Sequence, residues 1–222
     1  MRTPLFTLWL AACGPKVAVL PGPLSAPAER AAMRAAPVAD LSPAARAPSD
    51  KRRPIGDVAV VDAARRLLTG SPPAGYRADC SGFVQAVVSR AGGDLAGSTA
   101  MMWAELRAAG RTHTRTTPAP GELAFFDNTY DRDGDGRAND ELTHIAVVLS
   151  VDPNGTITLA HDGTSKGRTT LRMNLRLPSE PTLSGERVND ALRAARRGDP
   201  PGLRYLAAEL WRGFGRPVTD AR

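Results

Sequence analysis

Thr143-His144-Ile145-Ala146-Val147-Val148-Leu149 is a run rich in β-branched and aliphatic side chains. Asp152-Pro153-Asn154-Gly155 follows, and Thr156-Ile157-Thr158-Leu159-Ala160-His161 returns. Apolar β-branched stretches bounded by turn residues read as strands, and this turn is a strong hairpin signal. The unit commits the chain to an antiparallel sheet. It also carries two of the three histidines, His144 and His161, one on each strand.

Side chains alternate along a strand, so an even-residue turn sets both histidines on one face. A two-residue Asn154-Gly155 turn puts His161 opposite Val148, roughly 13 Å from His144. A four-residue turn from Asp152 to Gly155 puts it opposite Ala146, a diagonal of about 7–8 Å, and a bulge would close the rest. The third histidine, His113, lies in a polar Arg/Thr segment and reads as an exposed loop residue. Pro120-Gly121-Glu122 leads into a shorter apolar strand, Leu123-Ala124-Phe125-Phe126.

Two helices are expected upstream. Val58, Val60, Val61, Ala64, Leu67 and Leu68 make an amphipathic pattern from Gly56 to Leu68, stopped by Gly70-Ser71-Pro72-Pro73. Cys80, Phe83, Val84, Val87, Val88 and Ala91 then form one helical stripe, closed by Gly92-Gly93. Asp79 suits the N-cap. Cys80 thus stands in a first helical turn, facing inward. A helix N-terminus stabilises a thiolate and offers free amides to an oxyanion. Position alone also fits a small buried hydrophobe. A further stripe, Leu203, Leu206, Ala207, Leu210, Trp211 and Phe214, predicts a C-terminal helix.

Composition matters mainly through its placement. Of the net charge of +6, four charges fall between Gly14 and Arg53, one is Arg2, and one is left for Pro54 to Arg222. Gly14–Arg53 is rich in Ala, Pro and Arg without periodicity and reads as a disordered tether. The basic excess belongs to that tether, and no aromatic-basic interleaving accompanies it, which argues against nucleic acid as a partner. No apolar run reaches the roughly 18 residues of a membrane span. Arg2 and the short apolar run Pro4–Ala12 instead form an export signal. Leu10-Ala11-Ala12-Cys13 resembles a bacterial lipobox, which implies a lipid-bearing Cys13. The plainer alternative is an ordinary signal peptide with an incidental cysteine.

Between Leu123–Phe126 and the strand that begins at Thr143-His144 lies an acidic loop. Asp131, Asp133, Asp135, Gly136 and Asn139 match positions one, three, five, six and nine of a calcium loop. Position twelve is Leu142, with Glu141 one residue early, so this is no standard EF-hand. Asp131, Asp133, Asp135, Asn139 and Glu141 are candidate ligands of a structural calcium ion; a solvated acidic turn is the other reading.

Three pieces taken in order resemble the NlpC-type family of papain-like cell-wall cysteine peptidases: Asp79-Cys80-Ser81-Gly82-Phe83-Val84, Pro120 to Phe126, and His144-Ile145-Ala146-Val147-Val148 with His161 on the next strand. The match runs from about Gly56 to Leu175. It implies an α+β, papain-like fold with an antiparallel sheet packed against the cysteine helix. It implies Cys80 as nucleophile, His144 as general base and His161 as the group orienting it. Tyr76, Asp79 and Ser81 become substrate or oxyanion candidates, although the stretch before the cysteine is compressed relative to the family. No cofactor is required for catalysis. The implied reaction is hydrolysis of peptidoglycan stem peptides between D-glutamate and diaminopimelate. An amidase using the same residues and a non-catalytic, calcium-stabilised wall-binding lipoprotein are the alternatives. The expected layout is a signal peptide over 1–12, lipidated tether over 13–53, peptidase domain over 54–177 and helical extension over 178–222. The chain would act as a monomer, lipid-anchored in the cell envelope as a periplasmic or outer-membrane lipoprotein.

Overall fold

A computed structural model describes residues 55–71, 73–163 and 166–217. The signal, Cys13 and the tether lie outside the described residues. Three helices come first: α1 (Ile55–Thr69), α2 (Cys80–Arg90) and α3 (Thr99–Ala108). The strands are β1 (Thr112–His113), β2 (Leu123–Phe126), β3 (His144–Val151), β4 (Ile157–His161), β5 (Thr169–Met173), β6 (Thr182–Leu183) and β7 (Glu186–Arg187). A short α4 (Ala207–Leu210) and β8 (Trp211–Gly215) complete the fold. The principal sheet has the order β1-β8-β2-β3-β4-β5, with antiparallel neighbours throughout; β6 and β7 pair separately. The α+β class is as expected.

Alternation of side chains gives the sheet two apolar faces. Leu123, Phe125, Ile145, Val147 and Ala160 pack with α1, α2 and α3 through Leu67, Phe83, Val84, Val87 and Met102. Ala124, Phe126, Ala146, Val148, Leu159, Leu171 and Met173 pack with Ala207, Leu210 and Phe214. A strand core covered on both faces explains why β2 and most of β3 are apolar at every position.

The expected C-terminal helix is corrected. Its only helical part is Ala207–Leu210, after which Trp211–Gly215 inserts into the sheet between β1 and β2. Gly213 and Gly215 are the physical reason. Glycine costs about 0.5–1 kcal/mol inside a helix. Here its bareness lets α3 approach, since a Cβ would lie 2.8 Å from Trp103 at Gly213 and 2.7 Å from Leu106 at Gly215. The C-terminal strand is therefore built into the principal sheet rather than appended to it, and all described residues fall within one compact unit, Asp50–Arg222.

His113 is corrected as well. It sits on β1, half-buried, with Nε2 2.9 Å from Oε2 of Glu122. Glu122 is fully buried and also takes the Ala119 N–H (3.0 Å) and Arg216 Nη2 (3.3 Å). A buried carboxylate needs such partners, and they tie β1 to the entrance of β2.

Candidate active site

Asp79 caps α2 as expected. Its Oδ1 accepts from the Gly82 N–H at 2.8 Å and the Ser81 hydroxyl at 2.7 Å, and Oδ2 pairs with Arg77 at 2.7 Å. The Asp79 carbonyl takes the Phe83 N–H at 2.9 Å. Within this first turn the Cys80 N–H is left without a partner among the described residues. Gly82 is required sterically: a Cβ there would lie 2.0 Å from the Arg77 carbonyl oxygen.

The thiol of Cys80 is mostly buried, with Sγ 4.0 Å from Thr99 Oγ1. Burial pushes its pKa up, and the Asp79 charge adds to that. The backbone N–H groups of Ile145 and Ser81 and the Thr99 hydroxyl pull the other way without winning. The helix N-terminus was expected to depress this pKa, and desolvation overrides it. The contact with Ile145 also locates the sulfur at the start of β3, one residue from His144.

His144 and His161 are both buried. The five residues from Asp152 to Thr156 separate the paired Val151 and Ile157, an odd loop that alone would set the histidines on opposite faces. A register shift between Val148 and Ser150 restores the parity, and Val147 then pairs with Ala160. One step further, His161 stands beside Ala146, on the diagonal from His144. His144 Nε2 and His161 Nδ1 are 2.9 Å apart, with the rings edge to face. Burial, with the neighbouring His161 adding to it, lowers His144 to about 3. Burial likewise lowers His161 to about 4, against the opposing pull of Asp162 and Asp190. Both rings are neutral at physiological pH. Because His144 Nε2 is engaged by His161, its Nδ1 is the nitrogen left for other chemistry.

Cys80, His144 and His161 line one open cleft of about 910 Å³, together with Asp79 and Ser81. Tyr76 is exposed and is not among its lining residues. Three contributors were not read from the sequence. Thr99, from α3, reaches the sulfur. Gly163, just after β4, has φ +88°, and a Cβ there would lie 2.9 Å from the Cys80 nitrogen, so only glycine leaves that amide uncovered. Asp190 to Ala195 form a wall of the cleft from beyond the resembling segment. Spacing alone carried no signal for these, because each acts through a tertiary approach.

The acidic loop is largely bonded to itself. Asp131 accepts from the Gly134 and Gly136 N–H groups at 2.8 and 3.0 Å, and Asp135 from the Arg137 N–H at 2.8 Å and Asn139 Nδ2 at 3.3 Å. Carboxylate oxygens of Asp131, Asp133 and Asp140 lie within 4.8 Å of one another. Of the expected ligands, Asp131 and Asp133 fall in this cluster, whereas Glu141 pairs with Arg212 at 3.2 Å and Asp135 accepts from Asn139 Nδ2 at 3.3 Å.

Residues 71–163 match the family model of the CHAP domain, which spans α2 through β4 and contains Cys80, His144 and His161. No curated protein matches the chain. A crystal structure of a Staphylococcus aureus protein described as similar to lipoprotein, NLP/P60 family, is 23% identical. The likeness covers 56% of this chain and 39% of that one, with a TM-score of 0.35. The chain thus spans less than two thirds of that protein. Over residues 71–163, then, the chain is similar to the CHAP domain family.

Proposed function

We propose that the domain is a cysteine endopeptidase that cuts peptidoglycan stem peptides at a D-glutamyl–diaminopimelate type of bond. The observation that carries it is the 2.9 Å bond between two buried imidazoles in the cleft that also holds the cysteine at the first turn of α2. His144 Nδ1 takes the Cys80 proton as Sγ attacks the scissile carbonyl. The oxyanion forms against the Cys80 N–H. The His144 imidazolium, its ring held by His161, then protonates the leaving amine and leaves an acyl thioester. Water gives a proton to His144, attacks the thioester carbonyl and releases the acid, returning the thiol. The raised thiol pKa makes the resting pair neutral, so the proton moves during attack rather than before it.

An amidase cutting between muramic acid and the peptide is the second reading, because the CHAP match fits either bond. Turbidity loss on purified wall, with Cys80→Ala as control, tests the hydrolase; equal clearing by both proteins sinks it. Product analysis separates the bonds, since only an amidase frees whole stem peptides. In this reading the enzyme is monomeric and held in the cell envelope by a lipid on Cys13, with the following tether giving reach. A structural calcium ion at Asp131, Asp133 and Asp140 is a separate proposal; a calcium-dependent rise in Tm that Asp131→Asn abolishes supports it, and no rise removes it.

A further inference from the structure

The wall from Asp190 to Ala195 brings one unusual group to the cleft. Arg193 is only 9% exposed, yet it lines this substrate-sized opening. Its Nη1 donates to the Asn128 carbonyl at 2.7 Å. No carboxylate among the described residues is within ion-pairing distance of its guanidinium. A guanidinium has five N–H donors, and burying its charge without an anion is costly.

The nearby acids are engaged elsewhere. Asp79 holds the start of α2 and Arg77. Asp190 accepts from the Arg172 N–H at 2.6 Å and pairs with Arg187 at 3.7 Å. Asp199, which feels the Arg193 charge, takes the Arg196 N–H and the Tyr205 hydroxyl. Arg193 is also tied to the catalytic strand. Asn128 is followed by Thr129, whose N–H and hydroxyl both bond Thr143 Oγ1 at 2.9 Å, next to His144.

We propose that Arg193 is a specificity residue that binds a free carboxylate of the substrate peptide, so that the enzyme prefers stem peptides with that carboxylate unmodified over those in which it is amidated. This rests on the hydrolase reading and names the substrate form it takes. A guanidinium donates to both oxygens of a carboxylate, whereas a carboxamide offers one acceptor and no charge.

The test is calorimetric binding by the Cys80→Ala protein of a synthetic stem peptide with a free D-glutamyl α-carboxylate, against the same peptide as the carboxamide. The acid should bind about 10- to 100-fold more tightly. Adding Arg193→Gln should erase the difference, and Arg193→Lys should restore part of it. Equal affinity for acid and amide, no measurable binding of either, or an Arg193→Gln protein that still prefers the acid overturns the proposal. The acid/amide comparison needs no variant at Arg193, so misfolding of that variant does not protect the idea. Discrimination in binding together with failure to clear wall sinks the hydrolase reading and leaves the carboxylate site standing.

Discussion

His144 Nε2 meets His161 Nδ1 at 2.9 Å only because a bulge in β3 cancels the odd length of the loop that follows it. The bond settles which nitrogen of His144 is free. For Nδ1 to accept the thiol proton, Nε2 must carry hydrogen and donate it to His161.

The first consequence concerns His161. His161→Ala removes the acceptor and frees the His144 ring, and kcat should fall about 10³-fold or more. His161→Asn keeps an acceptor near the same point and should recover part of that loss. Steady-state hydrolysis of a soluble stem peptide reads both, and equal rates for the two variants would count against an orienting role.

Stability should depend on pH through the same pair. An unfolded histidine binds its proton near pH 6.5, whereas the native His144 and His161 do so only at about 3 and about 4 because of burial. Between those values the unfolded chain holds more protons, so stability rises with pH. The contribution is complete above about pH 6.5 and is lost as pH falls toward 4 and then 3. Urea midpoints at pH 7, 5.5 and 4.5 should decline, and the slope should flatten in a His144→Gln/His161→Gln protein.

Gly163→Ala would set a methyl group against the Cys80 amide. Strain at positive φ should cost about 1–2 kcal/mol of stability, and loss of the oxyanion donor should cost about 10²–10³ in kcat. Alkylation by iodoacetamide develops no oxyanion, so its rate should stay near that of the wild type. Parallel loss of both reactions would mean that the site has collapsed instead.

Phe214 is fully buried between Trp211 and His113, with ring centroids 5.0 and 5.6 Å away. Phe214→Ala should destabilise the domain by about 3–5 kcal/mol. A dispensable C-terminal extension would tolerate it, so chemical denaturation distinguishes the two architectures.

Much of the site was legible from local pattern. The stripe from Cys80 to Ala91, the Asp79 cap and the paired strands ending in His144 and His161 follow from short-range periodicity and turn chemistry, which neighbouring residues encode. The approach of distant segments is not encoded that way. Glycine at 163 reads as loop until it is seen against the Cys80 nitrogen, and Trp211 to Gly215 reads as helix until α3 packs onto it. The thiol pKa follows the same logic: a helix terminus is visible in sequence, but the desolvation that outweighs it depends on what tertiary packing lays over the sulfur. The chain alone thus pointed to Cys80, His144 and His161 as candidates for one site. Only folding decided the bulge that joins the histidines, the amide left open by Gly163 and the buried arginine in the cleft wall, because each depends on segments meeting across the sheet.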